Sequence, residues 1–471
     1  MNASKNQVTK EVASNAVVFE GLEGRQMMSV TSHHHRAAKV APKPVTPPPV
    51  IPAPIVINNS ALTITQTGGI LQVIGTTGND QITISQLGNV FTIKNGSWKT
   101  TVTGTFSQVI VKGNNGNDSI TIDPSVTENA TLYGGTGTDT LIGNNGNDTF
   151  YAGTGINIMK GGTGRDTFVT IGSRGDTITG NGGNDTFWMD NSNTEVIVDP
   201  TVAGHVHRIS SFLGGVSTTL SGQTFTEPAM TDKSMAYKNF SNLPLFNANG
   251  PAEDDIVQGY VGDCWYLSSL ASVAKVNPDK ITQSVVSLGD GTYAVQFTRN
   301  GQNVFARVDA NLPTWYGQDA YANTVSKNGN SLWVAIMEKA MCQFTGTTAS
   351  YSNIDGGWMS TAYDSMGISE TNIWGAANAT DLANQLASNL ATNKAVTLAI
   401  GKVPAGAPLI GSHAYTVDHV TKDANGKVVS ITLRNPWGVD GAGNDGNNDG
   451  YVTITPAQAF AGYIGVTVAT A

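Results

Sequence analysis

"QGYVGDCWYLSSLASVA", residues 258–274, places one of only two cysteines, Cys264, between a Gly-Asp turn and an apolar run. The run from Trp265 to Val273 has helical spacing and no proline, so it predicts a helix starting at or beside Cys264. A thiol there meets the free N–H groups and the positive end of the helix dipole, both of which favour the thiolate. A thiolate nucleophile then needs a base, and the base needs a group to orient it. Downstream, "GSHAYTVDHV" puts His413 at a strand start, and "LRNPWG" puts Asn435 ahead of Pro436 and Trp437. His419 lacks the "HAY" surrounding and reads as a surface strand residue. Alone, Cys264 would read as a buried helix cysteine; with His413 and Asn435 in place, catalysis is the better reading.

Outward from this stretch, residues 241–471 are richer in Trp, Met and helix formers than the rest. "SLWVAIMEKAMCQF" reads as a buried helix with Cys342 as an inert packed thiol. "TYAVQFTRNGQNVFARVDA" predicts a hairpin turning at Asn300-Gly301. "AVTLAIG", "AYTVDHVTKD", "KVVSITLRNPW" and "GYVTIT" read as strands. Helices first and strands after is an α+β pattern.

The chain order Cys, His, Asn matches the papain-like arrangement. "QGYVGDCWYLSSLASVA", "SLWVAIMEKAM", "GSHAYTV" and "LRNPWG", together with "PLFNANGPAEDDIVQG" and "ARVDANLP", resemble the calpain family of cysteine peptidases from about Leu245 to Gly438. The resemblance implies a papain-like α+β fold and peptide hydrolysis through a thioester acyl-enzyme. It makes Cys264 the nucleophile, His413 its ion-pair partner and the acid for the leaving amine, and Asn435 the group that orients the imidazole. Gln258 would donate its amide to the oxyanion hole beside the Cys264 N–H. Trp437 would cover the Asn–His bond from water, and Trp265 would pack near the site. Ser412 stands where the family usually has Gly, and "VDGAGNDGNNDGYVTIT" replaces the usual continuation after "NPWG". Asp255 matches one family calcium carboxylate, whereas the partner Glu corresponds to Ser352. In the replaced segment Asp445, Asn447 and Asp449 precede Gly450 as D-x-N-x-D-G, the first half of an EF-hand-like loop. Tyr451 would offer its carbonyl, but Pro456 stands where such a loop places its bidentate Glu, and a polar hairpin loop is the equal alternative.

Residues 61–200 are rich in Gly, Asn, Thr and Asp. "ALTIT", "QITIS" and "VFTIK" read as strands. A nine-residue repeat follows in "GGTGTDTLI" from Gly134, "GNNGNDTFY" from Gly143, "AGTGINIMK" from Ala152, "GGTGRDTFV" from Gly161 and "GNGGNDTFW" from Gly180, with "SRGDTI" between the last two. The pattern resembles the RTX, or hemolysin-type, calcium-binding repeat. That resemblance implies an all-β parallel β-roll in which Leu141, Phe150, Met159, Phe168, Ile178 and Phe187 point inward. Calcium ligands would align two repeats apart, with Asp148, Asp166 and Asp185 on one side and Asp139, Asn157 and Asp176 on the other. Asn157 is neutral, which favours the first side. Copies at Gly75 and Gly113 lack adjacent turns and are expected to stand apart.

The chain is therefore multidomain: tail to residue 60, repeats over 61–200, connector over 201–240, peptidase over 241–471. The tail holds the Pro-rich "APKPVTPPPVIPAPIV", a polyproline II spacer, and His33, His34 and His35, read as a solvated patch. "FEGLEGRQMMSV" resembles a short motif near the N-termini of some large bacterial surface and secreted proteins. His205 and His207 read as a solvated strand face. A net charge of -9 argues against nucleic acid and is compatible with cations. No apolar run of about 18 residues predicts a transmembrane helix, and no signal-peptide core is readable. These features predict a secreted or cell-surface, calcium-dependent peptidase acting on proteins or peptides. An inactive calcium-dependent adhesion protein is the rival, and transglutaminase-like acyl transfer ranks below both.

Overall fold

The computed structural model describes residues 55–58, 61–173, 175–192, 194–198, 205–216, 218, 226–230, 232–315, 318–441 and 447–471. The proposed disordered tail, with its histidine run, lies almost wholly outside them. Alternating apolar residues fold the first region as a parallel solenoid of two facing sheets. One sheet stacks Ile70–Ile74, Gln108–Asn115, Asn129–Thr136, Thr149–Thr154, Thr167–Val169, Thr186–Asp190 and Val206–Ile209. The other stacks Gln81–Leu87, Ser119–Ile122, Thr140–Ile142, Ile158–Lys160, Thr177–Thr179 and Val196–Ile197. Leu141, Phe150, Met159, Phe168, Ile178 and Phe187 are fully buried between them. Phe150, Phe168 and Phe187 form a continuous ring stack with centroids 4.7 and 5.1 Å apart.

The copies at Gly75 and Gly113 belong to this stack, contrary to expectation. Gln81–Leu87 pairs in parallel with Ser119–Ile122, which pairs with Thr140–Ile142. Two antiparallel strands, Val90–Asn95 and Trp98–Thr103, are inserted beside Gln81–Leu87. They lengthen one coil in sequence without displacing the next in space.

In the second region, helix Cys264–Val276 lies across a six-stranded antiparallel sheet. The sheet runs Glu370–Ile373, Tyr463–Ala469, Ala395–Ile400, His413–Lys422, Val428–Arg434, Tyr451–Ile454. Ala395, Ala399, Ala414 and Ala469 share a core with Leu267 and Leu270 of the helix, and these small side chains allow close approach. Thr416 Oγ1 donates to Ser268 O at 2.7 Å across the same contact. The opposite face packs on helix Ala379–Ala391 through Leu382 and Leu386. Asn300 and Gly301, with φ of 52° and 74°, turn the expected hairpin between Thr292–Arg299 and Gln302–Asp309.

The two regions share a core. Val169, Ile171, Trp188, Ile209 and Phe212 from the roll pack on Val286, Leu288, Ala294 and Phe305. His207, expected on a solvated face, is 5% exposed and stacks on Trp188 with centroids 4.0 Å apart. Burial pushes its pKa down to about 4, so the ring is neutral. Its Nδ1 lies 2.5 Å from the Gln296 carbonyl oxygen and donates to it. His205 contacts Asp185 O through Nδ1 and Gln283 through Nε2. The connector is thus partly structured: Val206–Ile209 closes one roll sheet, and Ala236–Asn239 pairs with Asn311–Trp315.

Candidate active site and calcium-binding coils

The helix begins at Cys264, with Asp263 as its N-cap residue. Gly262 N donates to Asp355 Oδ1 at 3.1 Å and Gly356 N donates to Gly262 O at 3.0 Å, which fixes the turn entering the helix. Trp265 is buried, donates Nε1 to Ile354 O at 3.0 Å and leaves no room for a Cβ at Gly357. Cys264 is 4% exposed, and the Ala414 N–H, next to His413, reaches its thiol. Burial pushes that thiol up to about 12, against the downward pull of the Ala414, Trp265 and Cys264 N–H groups. The expected depression at a helix start is thus outweighed by desolvation. His413 and Asn435 are fully buried. His413 Nε2 lies 2.9 Å from Asn435 Oδ1, an acceptor, so Nε2 carries a proton. Asn435 Oδ1 also accepts Trp437 N at 3.0 Å, and its Nδ2 donates to Asp440 O at 3.2 Å. The Trp437 ring lies 4.9 Å from the imidazole. Gln258 sits on the same side, its N–H bonded to Pro436 O at 2.8 Å. Its Nε2 donates to Val261 O at 2.7 Å.

In the roll, each rung residue accepts through Oδ1 the backbone N–H of a residue one coil earlier. Asp118, Asp139, Asn157 and Asp176 form one such ladder, and Asp148, Asp166 and Asp185 the other, at 2.7–2.9 Å. The second oxygen separates the rungs. Oδ2 of Asp118, Asp139 and Asp166 is buried with no donor. A Cβ on Gly113 would sit 2.3 Å from Asp118 Oδ2 and 2.5 Å from Gly134 O. On Gly161 it would sit 2.0 Å from Asp166 Oδ2 and 2.9 Å from Gly180 O. Carboxylate and carbonyl oxygens thus converge with no N–H or O–H group of the protein donating between them, an arrangement that fits a hard cation. Asp148 Oδ2 instead accepts Asn144 N at 2.8 Å, and Asp176 Oδ2 accepts the Ser173 hydroxyl. Asp118 was not singled out in the sequence; it precedes Asp139 by 21 residues, whereas the later rungs are 18 and 19 apart. Among the described residues, no three His, Cys, Asp or Glu side chains gather as a metal cage.

Residues 227–448 match the family model of calpain family cysteine proteases. Residues 133–168 and 171–191 match that of the RTX calcium-binding nonapeptide repeat. The chain is 30% identical over 230 residues to the calpain-1 catalytic subunit of Bos taurus, covering 45% of this chain and 31% of the relative. It is 32% identical over 238 residues to calpain-5 of Mus musculus, covering 43% and 36%. For calpain-A of Drosophila melanogaster the figures are 30% over 219 residues, 41% and 25%. The second region is a calpain family domain. The chain spans only about a quarter to a third of these calpains' own length.

Within the calpain domain, Asp255 is hydrogen-bonded on both oxygens: Oδ2 accepts Trp333 Nε1 at 2.8 Å and Ala252 N at 3.0 Å, and Oδ1 accepts Ser326 Oγ at 3.0 Å. A cation there would compete with three donors. Of the EF-hand-like loop, Asp445 lies outside the described residues. Asn447 is exposed, and Asp449 Oδ1 accepts Tyr451 N at 3.0 Å. A residue not foreseen, Asp440, braces this loop: fully buried, it accepts Gly450 N at 2.8 Å. His419 is 57% exposed beside Asp418, as its surroundings suggested, and Cys342 is buried and free.

Proposed function

We propose that this protein is a calcium-dependent cysteine endopeptidase that cleaves proteins through Cys264, His413 and Asn435. The hydrogen bond from His413 Nε2 to Asn435 Oδ1 carries the reading. It fixes the tautomer and leaves Nδ1 as the nitrogen to exchange a proton with the thiol. Transfer of the Cys264 proton to that nitrogen makes a thiolate–imidazolium pair, which offsets the burial that otherwise keeps the thiol neutral. The thiolate attacks the peptide carbonyl, His413 protonates the leaving amine, and water releases the acyl group. Gln258 spends one amide N–H on Val261 O, and the second is the donor for the oxyanion, beside the Cys264 N–H. Trp437 shields the Asn435–His413 bond from water.

Calcium, when bound, neutralises the buried carboxylates of the roll, with Asp118, Asp139, Asp166 and Asp185 as principal side-chain ligands and Asp148 and Asp176 as lesser ones. Such coils suit the millimolar calcium outside cells, so the protein is read as secreted. Casein cleavage by the full chain, with calcium and with chelator, beside Cys264→Ala, tests the reading. Calcium-dependent cleavage lost in the variant is the expected result. A folded, calcium-loaded wild type that cleaves nothing favours the inactive adhesion protein.

A further inference from the structure

Directly before the nucleophile lies an acidic residue that the hydrolysis does not use. Asp263 is fully buried, and neither of its carboxyl oxygens meets a donor. The side chain facing it is another carboxyl, Glu338 of helix Trp333–Thr345, itself 1% exposed. Both Glu338 oxygens accept Ala322 N, at 3.2 and 3.0 Å. Among the described residues, no cationic side chain pairs with either carboxyl. Lys339, next in the helix, is committed to Glu227, Asp309 and Asn311 O. The other titratable neighbours are Asp355, Cys264, Tyr266, Cys342 and Tyr351. Burial pushes both thiols and both phenols up, so these four are neutral, and Asp355 adds repulsion.

Two buried carboxyls in contact without a cation cannot both ionise. A single shared proton satisfies them: Asp263 donates to Glu338, which still accepts Ala322 N. Burial and the Glu338 charge hold Asp263 well above the usual carboxylate range, and burial lifts Glu338 to about 7. The pair then titrates as a unit with one charge.

Its position links two parts of the site. The Asp263 carbonyl accepts Tyr266 N and Leu267 N at 2.9 and 3.0 Å and so opens the nucleophile's helix. Ala322 lies in a strip whose main chain brackets Gln258: Tyr260 N donates to Ala320 O at 2.8 Å, and Asn323 N donates to Val257 O at 2.9 Å. We propose that Asp263 and Glu338 are positioning residues that, through one shared proton, hold Cys264 in register with Gln258. This role rests on the peptidase reading. Loss of the shared proton places a second negative charge beside Cys264, where it opposes the thiolate.

Alkylation of Cys264 by iodoacetamide, followed by mass spectrometry on the calcium-loaded full chain, tests this without relying on proteolysis. Glu338→Gln keeps both hydrogen bonds and cannot ionise. Its alkylation rate relative to wild type should rise by about fivefold towards alkaline pH, as the wild-type pair loses its shared proton. Glu338→Ala should alkylate about fivefold or more slowly than Glu338→Gln throughout, so that the amide rescues what the truncation loses. Should Glu338→Ala fail to fold, Asp263→Asn must show the same rising ratio. A ratio flat with pH, or equal rates for the Ala and Gln variants, overturns the proposal. Casein cleavage is read in parallel: its absence beside the expected alkylation pattern rejects the peptidase reading and leaves the pair standing.

Discussion

Asn435 serves the site with each end of one amide: its oxygen holds His413 and the Trp437 N–H, and its nitrogen holds Asp440 O. Asn435→Ala should therefore lower kcat by about 100-fold with little change in KM, because it frees the imidazole without touching the substrate cleft. Steady-state cleavage of a fluorogenic peptide checks this, and an unchanged kcat would remove Asn435 from the site. The positions of Cys264, Asn435 and His413 were legible because each sits in a local motif at an element boundary. The state of the thiol was not. A helix start is written in "GDCW", whereas the desolvation that raises Cys264 comes from residues far away in sequence. Glu338 and Asp440 were missed for a related reason: each looks like an ordinary helix or loop acid until burial is known.

At the scale of strands and coils, the nine-residue period disclosed which side chains enter the roll and which residues sit at its turns. It failed at the inserted hairpin and again at the longer connection between Ser119–Ile122 and Asn129–Thr136, because a period counts residues while a sheet counts rungs. The stack therefore predicts a ligand that the period did not. Asp118→Asn should weaken calcium binding as Asp166→Asn does, whereas Asp80→Asn should not, since Asp80 Oδ2 already accepts Thr76 N at 2.7 Å. Titration calorimetry on the three variants decides it, and an unaffected Asp118→Asn would overturn the rung assignment. Burial lifts Asp118 to about 6 and Asp166 to about 8 in the absence of a cation. Calcium must displace those protons, so binding should release protons near neutral pH and weaken as pH falls. Heats measured in two buffers of different ionisation enthalpy should differ accordingly.

For the whole molecule, the decisive contact joins the last coils to the sheet Val285–Asp309, and two histidines misread as solvated lie in it. Alternation put both on one strand but could not reveal what covers that strand. The contact has a pH signature. His207 titrates near 6.5 when unfolded and is pushed down to about 4 when folded. Its lowered folded pKa means that the unfolded chain takes up the proton first. Stability is full above about pH 6.5 and falls as pH drops towards 4, by up to about 3 kcal/mol. Urea unfolding of wild type and His207→Phe at several pH values should show a shallower acid loss in the variant; parallel curves would contradict it.

The shared core also imposes a sequence of maturation. Val286, Leu288, Ala294 and Phe305 are covered by side chains of the final coils, so the calpain sheet has no finished outer surface until those coils are wound. A chain held where calcium is scarce would carry Cys264, His413 and Asn435 on an incomplete scaffold. The molecule would thus come of age only on reaching a calcium-rich compartment.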